Sequence, residues 1–342
     1  MRRRFIFRLP PRTLALAAGG VVAVLAGCVF LAKAPMYVAT PLPVSGASPA
    51  AGNASIEFWN ALRGDNYAAL PGALDALEAA DRASPDDAHL SMLTGMGYAW
   101  LYFGQYSPDA DALHSDPAYR ARLAAALDQS VAHLTRAQQL APGDRILPGF
   151  VAAARFLQAR VNHDQAAEDA AYQELLSNTK AYPQFQGFIQ GWVLTAMYPP
   201  ASPRFQDGIN GYFASLDSCV GFSVSPSDPS APAFVFNILA KADPACYDTD
   251  IAPHNLEGTF LGLGDAFAKR GQLAQARASY ENALRVPAHL EWPFLHLLEE
   301  RLDKLDQLNG SFNATSGQPR VGLGPPVMFF QAYYSCTACH QG

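Results

Sequence analysis

The sequence has little charge and almost no clustered positive charge. Only 16% of its 342 residues are charged and the net charge is −6, so the chain lacks the basic face that nucleic-acid binding requires. It contains no glycine-rich phosphate loop, no Gly-x-Ser-x-Gly elbow and no His-Glu-x-x-His motif. These absences predict no nucleic-acid partner and leave no motif for a hydrolase or a nucleotide-using enzyme.

Stretches of alternating polar and apolar residues, which are typical of strands, are also scarce. From residue 55 onward, apolar residues recur at spacings of three and four, and this pattern indicates amphipathic helices. Half of the sequence is hydrophobic, which is enough to form a substantial core. The sequence therefore predicts an all-α protein.

The segment from Phe260 to Pro287 has the clearest repeat pattern in the chain. It reads as two helices, with small side chains where the helices cross and large ones beside them. This pattern resembles the tetratricopeptide repeat, a helix hairpin that stacks on its neighbours. The matching positions are Phe260, Leu263, Gly264, Phe267, Gly271, Ala276, Tyr280, Ala283 and Pro287.

Weaker matches to the same pattern occur upstream, so we expect about three to five degenerate hairpins. The resemblance implies a TPR-like solenoid of helical hairpins over residues 55–308, with a concave side that binds a protein partner. Residues 33–54, which are rich in proline, alanine, serine and glycine, predict a flexible linker. Residues 309–342 predict an extended C-terminal arm.

The N-terminus has the features of an export signal. Four arginines lie within the first eight residues, and Leu14–Ala32 is uncharged throughout. Residues 25–28, LAGC, resemble the bacterial lipobox, in which Cys28 would carry lipid after cleavage. The alternative is an uncleaved membrane anchor, since about 20 apolar residues can span a bilayer. Either interpretation of residues 1–32 places the rest of the chain on the periplasmic side of a bacterial membrane.

The sequence contains only five cysteines. Cys28 is assigned to the membrane and Cys336 and Cys339 to the terminal motif, which leaves Cys219 and Cys246. In an oxidising compartment we expect this last pair to form a disulfide that closes a loop of roughly 27 residues.

The pentapeptide CTACH, residues 336–340, lies two residues from the C-terminus. Covalent attachment of haem uses this pattern, in which two thiols bind the porphyrin and the adjacent imidazole ligates the iron. We therefore expect one haem c, held by Cys336 and Cys339, with His340 as proximal ligand. In small cytochromes c the motif comes early in the chain, so the motif's terminal position does not predict their compact fold.

The second axial ligand is left open by the sequence. Met328 in the same arm and His296 after the best repeat are the first candidates, and His254 and His289 are others. A five-coordinate iron is equally compatible with the pattern. A dense apolar cluster at residues 327–334 would shield one face of the porphyrin.

Other interpretations of the motif are a thiol–disulfide exchange pair, a zinc site or a structural disulfide. Exchange pairs usually open a helix in a βαβ setting, and no such setting is predicted here. A zinc site would need a fourth ligand.

Two hypotheses follow from the sequence. The first is a membrane-anchored periplasmic protein that carries one haem c and exchanges electrons with a docked protein partner. The second is a haem-free scaffold lipoprotein that binds other proteins, in which the terminal cysteines have a thiol-redox or structural part. Neither hypothesis requires catalysis, so an electron-transfer or binding protein is favoured over an enzyme.

Overall fold

Helices follow one another along the chain, and most of them pack against the next helix in sequence. The computed structural model describes residues 44–105, 116–220, 252–286, 291–313, 328–331 and 335–340. Every secondary-structure element in these ranges is helical, which confirms the predicted all-α class. These residues belong to one unit, Pro41–Gly342.

Thirteen α-helices are described within these ranges. They are α1 Pro49–Arg63, α2 Leu70–Ala83, α3 Ala88–Gln105, α4 Pro117–Leu140, α5 Leu147–Val161, α6 Gln165–Ala181, α7 Pro183–Met197, α8 Pro203–Val220, α9 Asn255–Lys269, α10 Leu273–Ala283, α11 Leu295–Asp303, α12 Leu305–Asn313 and α13 Thr337–His340. Short 3-10 turns lie at Tyr67–Ala69 and Phe329–Gln331.

The first helix begins inside the segment that the sequence assigned to a linker, residues 33–54. Ser48 accepts a hydrogen bond from the backbone of Ala51 and so caps α1, while Pro49 occupies the first turn. The composition of the segment predicts flexibility, but alanine is the best helix former. Ala51 and Ala54, which follow Pro49, are buried. The linker prediction is therefore wrong from residue 49 onward.

The described parts of the C-terminal arm, predicted as extended, are mostly helical, and residues 328–330 and 337–339 are buried. Helix α12 continues to Asn313, past the predicted boundary at residue 308. Met328, Phe329 and Phe330 belong to the same hydrophobic cluster as α8 and α9. Burial of these large apolar side chains outweighs the turn-forming composition of the segment before them.

The helix hairpin predicted between residues 260 and 287 is present as α9 and α10. Gly271 forms the turn with φ +80°, a left-handed conformation that glycine adopts without strain. A Cβ on Gly264 would lie 2.3 Å from the Tyr280 ring, so the glycine lets the ring pack against the backbone of α9. Ala276 and Ala283 are fully buried on either side of Tyr280.

A close helix crossing joins α7 and α8. A Cβ on Gly187 would lie 2.5 Å from the carbonyl oxygen of Gly211, and a Cβ on Gly211 would lie 2.7 Å from that of Gly187. A Cβ on Gly191, one turn further along α7, would meet the Tyr212 ring at 2.7 Å. The two helices can approach this closely only because glycines face each other.

None of the described helices is long and apolar enough to cross a membrane. The predicted signal or anchor, residues 1–32, lies outside the described residues.

Replacing Gly211 with alanine tests the α7–α8 crossing. The added methyl would meet backbone atoms that cannot move aside easily, so we expect Gly211→Ala to lower the free energy of unfolding by about 1–3 kcal/mol. Gly72→Ala is the control, because Gly72 is exposed in α2 and no atom lies within 4 Å of its Cβ position. That variant should gain about 0.5–1 kcal/mol. Equal effects of the two changes in urea unfolding would contradict the described crossing.

Candidate functional site

The terminal motif packs among the helices, against the first and the ninth of them. Helix α13 contacts both α1 and α9, and the 3-10 turn Phe329–Gln331 contacts α7 and α9. Ala338 and Cys339 belong to the cluster built around α9, whereas Cys336 packs against two clusters nearer the N-terminus. The motif thus joins three parts of the core.

Two glycines on one side of α9 make room for this segment. A Cβ on Gly258 would lie 2.4 Å from the Sγ atom of Cys339, and a Cβ on Gly262 would lie 2.3 Å from the Phe330 ring. The two positions are four residues apart, so both face the same way on the helix. Glycine inside a helix lowers stability by about 1 kcal/mol relative to alanine. The close approach of the C-terminal segment explains why two glycines nevertheless occur here. We call this surface the glycine groove.

Backbone carbonyl groups of the motif are anchored by residues that come just before α9 and α11. The backbone N–H of His254 donates to the Cys339 carbonyl at 3.0 Å, and the Trp292 indole N–H donates to the Ala338 carbonyl at 2.6 Å. Each of these bonds satisfies a carbonyl that the short helix α13 cannot satisfy internally.

The opposite side of the motif is anchored by Asp65, after α1. The Thr337 hydroxyl donates to the Asp65 carboxylate at 2.8 Å. Asp65 has φ +48°, in the left-handed region that costs non-glycine residues free energy. Burial raises the pKa of the Asp65 carboxyl, while the bond from Thr337 opposes that shift.

A buried charge cluster fixes the upstream part of the arm. The Asp265 carboxylate accepts hydrogen bonds from the backbone N–H of Phe329 at 2.6 Å, the Tyr280 hydroxyl at 2.8 Å and Arg301 Nε at 3.0 Å. Asp265 and Arg301 are both fully buried. Such a pair tolerates burial only when its hydrogen-bonding groups are satisfied, and the arm's backbone supplies one of the donors.

The two motif thiols are free, and the pKa of each is raised. Both are unbonded in the structure, so they do not form the structural disulfide considered from the sequence. Burial raises the pKa of the Cys336 thiol to about 12. Burial also raises the pKa of Cys339, and the nearby Glu257 carboxylate raises it further. Exchange catalysts need a lowered thiol pKa, so this environment argues against thiol–disulfide exchange.

His340 lies on the side of the motif that faces α1. Its ring is half-buried, and its centroid is 6.2 Å from that of Trp59. Burial raises the pKa of the Tyr67 phenol, and the nearby Cys336 raises it further. Cys336 and His340 therefore face an aromatic region, while Cys339 faces the glycine groove.

The candidates for a second axial ligand lie in different surroundings. Met328 is buried in the same cluster as Cys339. His296 is exposed, stacks on Phe294 and has Nδ1 3.2 Å from the Pro293 carbonyl, and none of its described contacts reaches the motif.

The histidine that does contact the motif through its backbone is His254. Its Nδ1 lies 3.1 Å from Glu257 Oε1, and both side chains are buried. His289 lies outside the described residues.

The remaining cysteine predictions are only partly within the described residues. Cys219 is buried at the end of α8 and is disulfide-bonded. Its predicted partner Cys246 and the predicted lipidation site Cys28 lie outside the described residues. Within the described ranges, no group of three or more His, Cys, Asp or Glu residues is placed to hold a metal ion.

Sequence reasoning missed the residues that hold the motif in place. Two of them had a visible signal, because Gly258 and Gly262 are spaced four apart within an apolar helical segment. Asp65 and Trp292 had none, since each acts on a segment far away in the chain.

No protein-family model matches the chain, and searches of curated proteins and of solved structures find no match. The function has to be argued from the chain's own residues.

The packing of Cys339 against Gly258 predicts slow alkylation. We expect iodoacetamide to modify Cys339 of the folded, haem-free chain at least about tenfold more slowly than in urea, because the buried thiol is protonated and covered. Gly258→Ala should accelerate the reaction at Cys339 by pushing this segment away from the groove. The readout is mass spectrometry of the C-terminal peptide over time.

Gly310→Ala is the matched control, since Gly310 lies in α12 and has no atom within 4 Å of its Cβ position. It should leave the alkylation rate unchanged. If Cys339 of the folded chain reacted as fast as in urea, the described docking would be wrong.

Proposed function

We propose that the chain is a periplasmic, membrane-anchored electron-transfer protein that carries one haem c on its C-terminal motif. The observation that carries the proposal is the state of the motif, which has two unpaired thiols three residues apart and an imidazole directly after them. All three groups lie where the C-terminal segment contacts α1 and α9. Thiols on an open surface would lack these buried neighbours.

The side chains around the motif are of the types that line a haem pocket. Thioether formation consumes both thiols, which fits their lack of a disulfide partner. The neighbours of the motif are mainly aromatic and apolar, and such walls exclude water and tune a haem's reduction potential. They include Trp59, Tyr67, Trp100, Phe329 and Phe330.

Each motif residue has a separate part in the proposal. Cys336 and Cys339 would hold the porphyrin through thioether bonds, and His340 would bind the iron as proximal ligand. Trp59 would limit rotation of the His340 ring, which lies beside it. When bound, haem supplies a one-electron redox couple.

The chain's helices would hold this group in one orientation. Two hydrogen bonds fix the motif on two sides. The Thr337 hydroxyl donates to the Asp65 carboxylate, and the Trp292 indole donates to the Ala338 carbonyl. Haem needs only close approach for electron transfer, so a motif held at a fixed distance from a docking surface is sufficient. The proposed docking surface is that of a TPR-like stack, and Phe260–Pro287 carries that resemblance.

The membrane anchor supplies the compartment in this proposal. Attachment of haem to this motif occurs on the outer side of the bacterial inner membrane, and the basic, apolar N-terminus would deliver the chain there. A disulfide at Cys219 fits an oxidising compartment.

A haem-free scaffold lipoprotein is the second candidate, and one observation favours it. The motif is already packed, because Cys339 fills the glycine groove and the carbonyl groups of Ala338 and Cys339 are hydrogen-bonded. In this alternative the terminal residues only close the stack, and its outer surface binds a partner protein.

Haem staining of a denaturing gel separates the two candidates. The full chain is produced in a bacterial periplasm together with the cytochrome c maturation proteins. We expect a stain that persists after denaturation and a Soret band in the purified protein, because thioether bonds survive unfolding.

The matched variant is Cys336→Ala/Cys339→Ala, which should lose the stain while keeping the helical circular dichroism spectrum. His340→Ala should keep covalent haem but alter its spectrum. A colourless and unstained wild-type protein, made beside a stained reference cytochrome c, would overturn the proposal in favour of the scaffold.

A further inference from the structure

A polar cleft lies on another part of the stack. It opens where α5 passes into α6 and where the chain passes from α7 to α8, and its volume is about 410 Å³. Its lining residues are Arg160, His163, Gln165, Glu168, Tyr198, Ser202 and Arg204. Neither the haem proposal nor the scaffold alternative uses these residues.

Hydrogen-bond donors converge on one carboxylate oxygen in this cleft. Glu168 Oε1 accepts from Arg160 Nη1 at 3.1 Å, from Arg204 Nη1 at 3.4 Å and from the Tyr198 hydroxyl. Glu168 is buried, while both arginines remain partly exposed toward the cleft. Arg204 Nη2 also donates to the exposed carboxylate of Asp169. Each guanidinium has five N–H groups, so these two carboxylates do not saturate the donors gathered here.

Aromatic rings hold the two guanidinium groups in place. Arg204 lies 4.4 Å from the centroid of the Tyr172 ring, and Arg160 lies 5.1 Å from that of Tyr198. Stacking of this kind fixes the planar donor fork before any ligand arrives. The cleft is therefore preorganised for a planar or tetrahedral oxyanion.

Three cationic groups, Arg160, Arg204 and Lys269, lie at or behind the cleft, against the carboxylates of Glu168 and Asp169. Behind it, the Lys269 ammonium is buried and donates to the carbonyl groups of Thr195 at 3.0 Å and Tyr198 at 2.9 Å. Burial, together with the charge of Arg160, lowers the pKa of Lys269 to about 8. Glu168 is the one carboxylate among the residues that line the cleft, and the exposed Asp169 beside it pairs with Arg204.

The turn at the cleft's edge uses a strained residue. His163 has φ +56°, where glycine would be easier to accommodate, and its Nε2 lies 3.2 Å from Arg120 Nη1. A third arginine thus lies next to the lining.

We propose that this cleft binds a small oxyanion, a phosphate or a carboxylate group, through Arg160 and Arg204. Glu168 occupies part of the donor set as a resident counter-charge, and the ligand competes with it for the two guanidinium groups. The cleft's size admits an anion about as large as a phosphate ester or a short dicarboxylate. This inference does not depend on haem, and its test is separate from that of the proposed function.

Isothermal titration calorimetry with the full chain in detergent tests the inference. Sodium phosphate and sodium succinate are titrated separately at constant low ionic strength, so the two arms show which oxyanion is preferred. We expect saturable binding of at least one of them. Arg160→Gln should weaken it by about tenfold or more, because one charged fork is lost. Glu168→Gln should strengthen it, because the competing carboxylate charge is removed.

Arg155→Gln is the matched control. Arg155 lies on the same helix, has similar exposure and pairs with Glu174 at 3.2 Å, but it does not line the cleft. This variant should bind like the wild type. The inference is overturned if neither anion gives saturable binding, if Arg160→Gln and Arg155→Gln weaken binding equally, or if Glu168→Gln weakens it while circular dichroism shows an intact fold.

Discussion

The contact between the glycine groove and the C-terminal segment is the constraint on which the terminal site depends. Gly258 and Gly262 lack side chains, and so the sulfur of Cys339 and the ring of Phe330 reach the surface of α9. A methyl group at either position would occupy the same space. The hydrogen bonds of the motif with Asp65 and with Trp292 form with the segment this close to α9.

This placement also ties distant parts of the chain together. The segment contacts α1 near the start of the described chain and α9 near its end, and its residues take part in three hydrophobic clusters. Asp265 extends the connection, since one carboxylate joins the arm's backbone to Arg301 and Tyr280. The same packing surrounds the two thiols with low-polarity groups, and their raised pKa values follow from that burial.

Local features of the fold could be predicted from the sequence, whereas long-range contacts could not. The all-α class and the hairpin at residues 260–287 follow from periodicity and from the small residues at a crossing. The haem hypothesis for Cys336, Cys339 and His340 also rests on five consecutive residues, and it stays a prediction. The buried position of the arm was missed because composition describes a segment alone, while burial depends on which distant surface receives it. The cleft at Arg160 and Arg204 was missed for the same reason, since its residues come from three helices and the connections beside them, which only the fold brings together.

The most direct test of the central claim is the mass of the C-terminal tryptic peptide from protein matured in the periplasm. The account predicts a peptide heavier by one haem, with neither Cys336 nor Cys339 available to iodoacetamide after denaturation. A peptide of unmodified mass that takes up two alkyl groups would contradict it. In that case the terminal motif would serve as packing for the stack and nothing more.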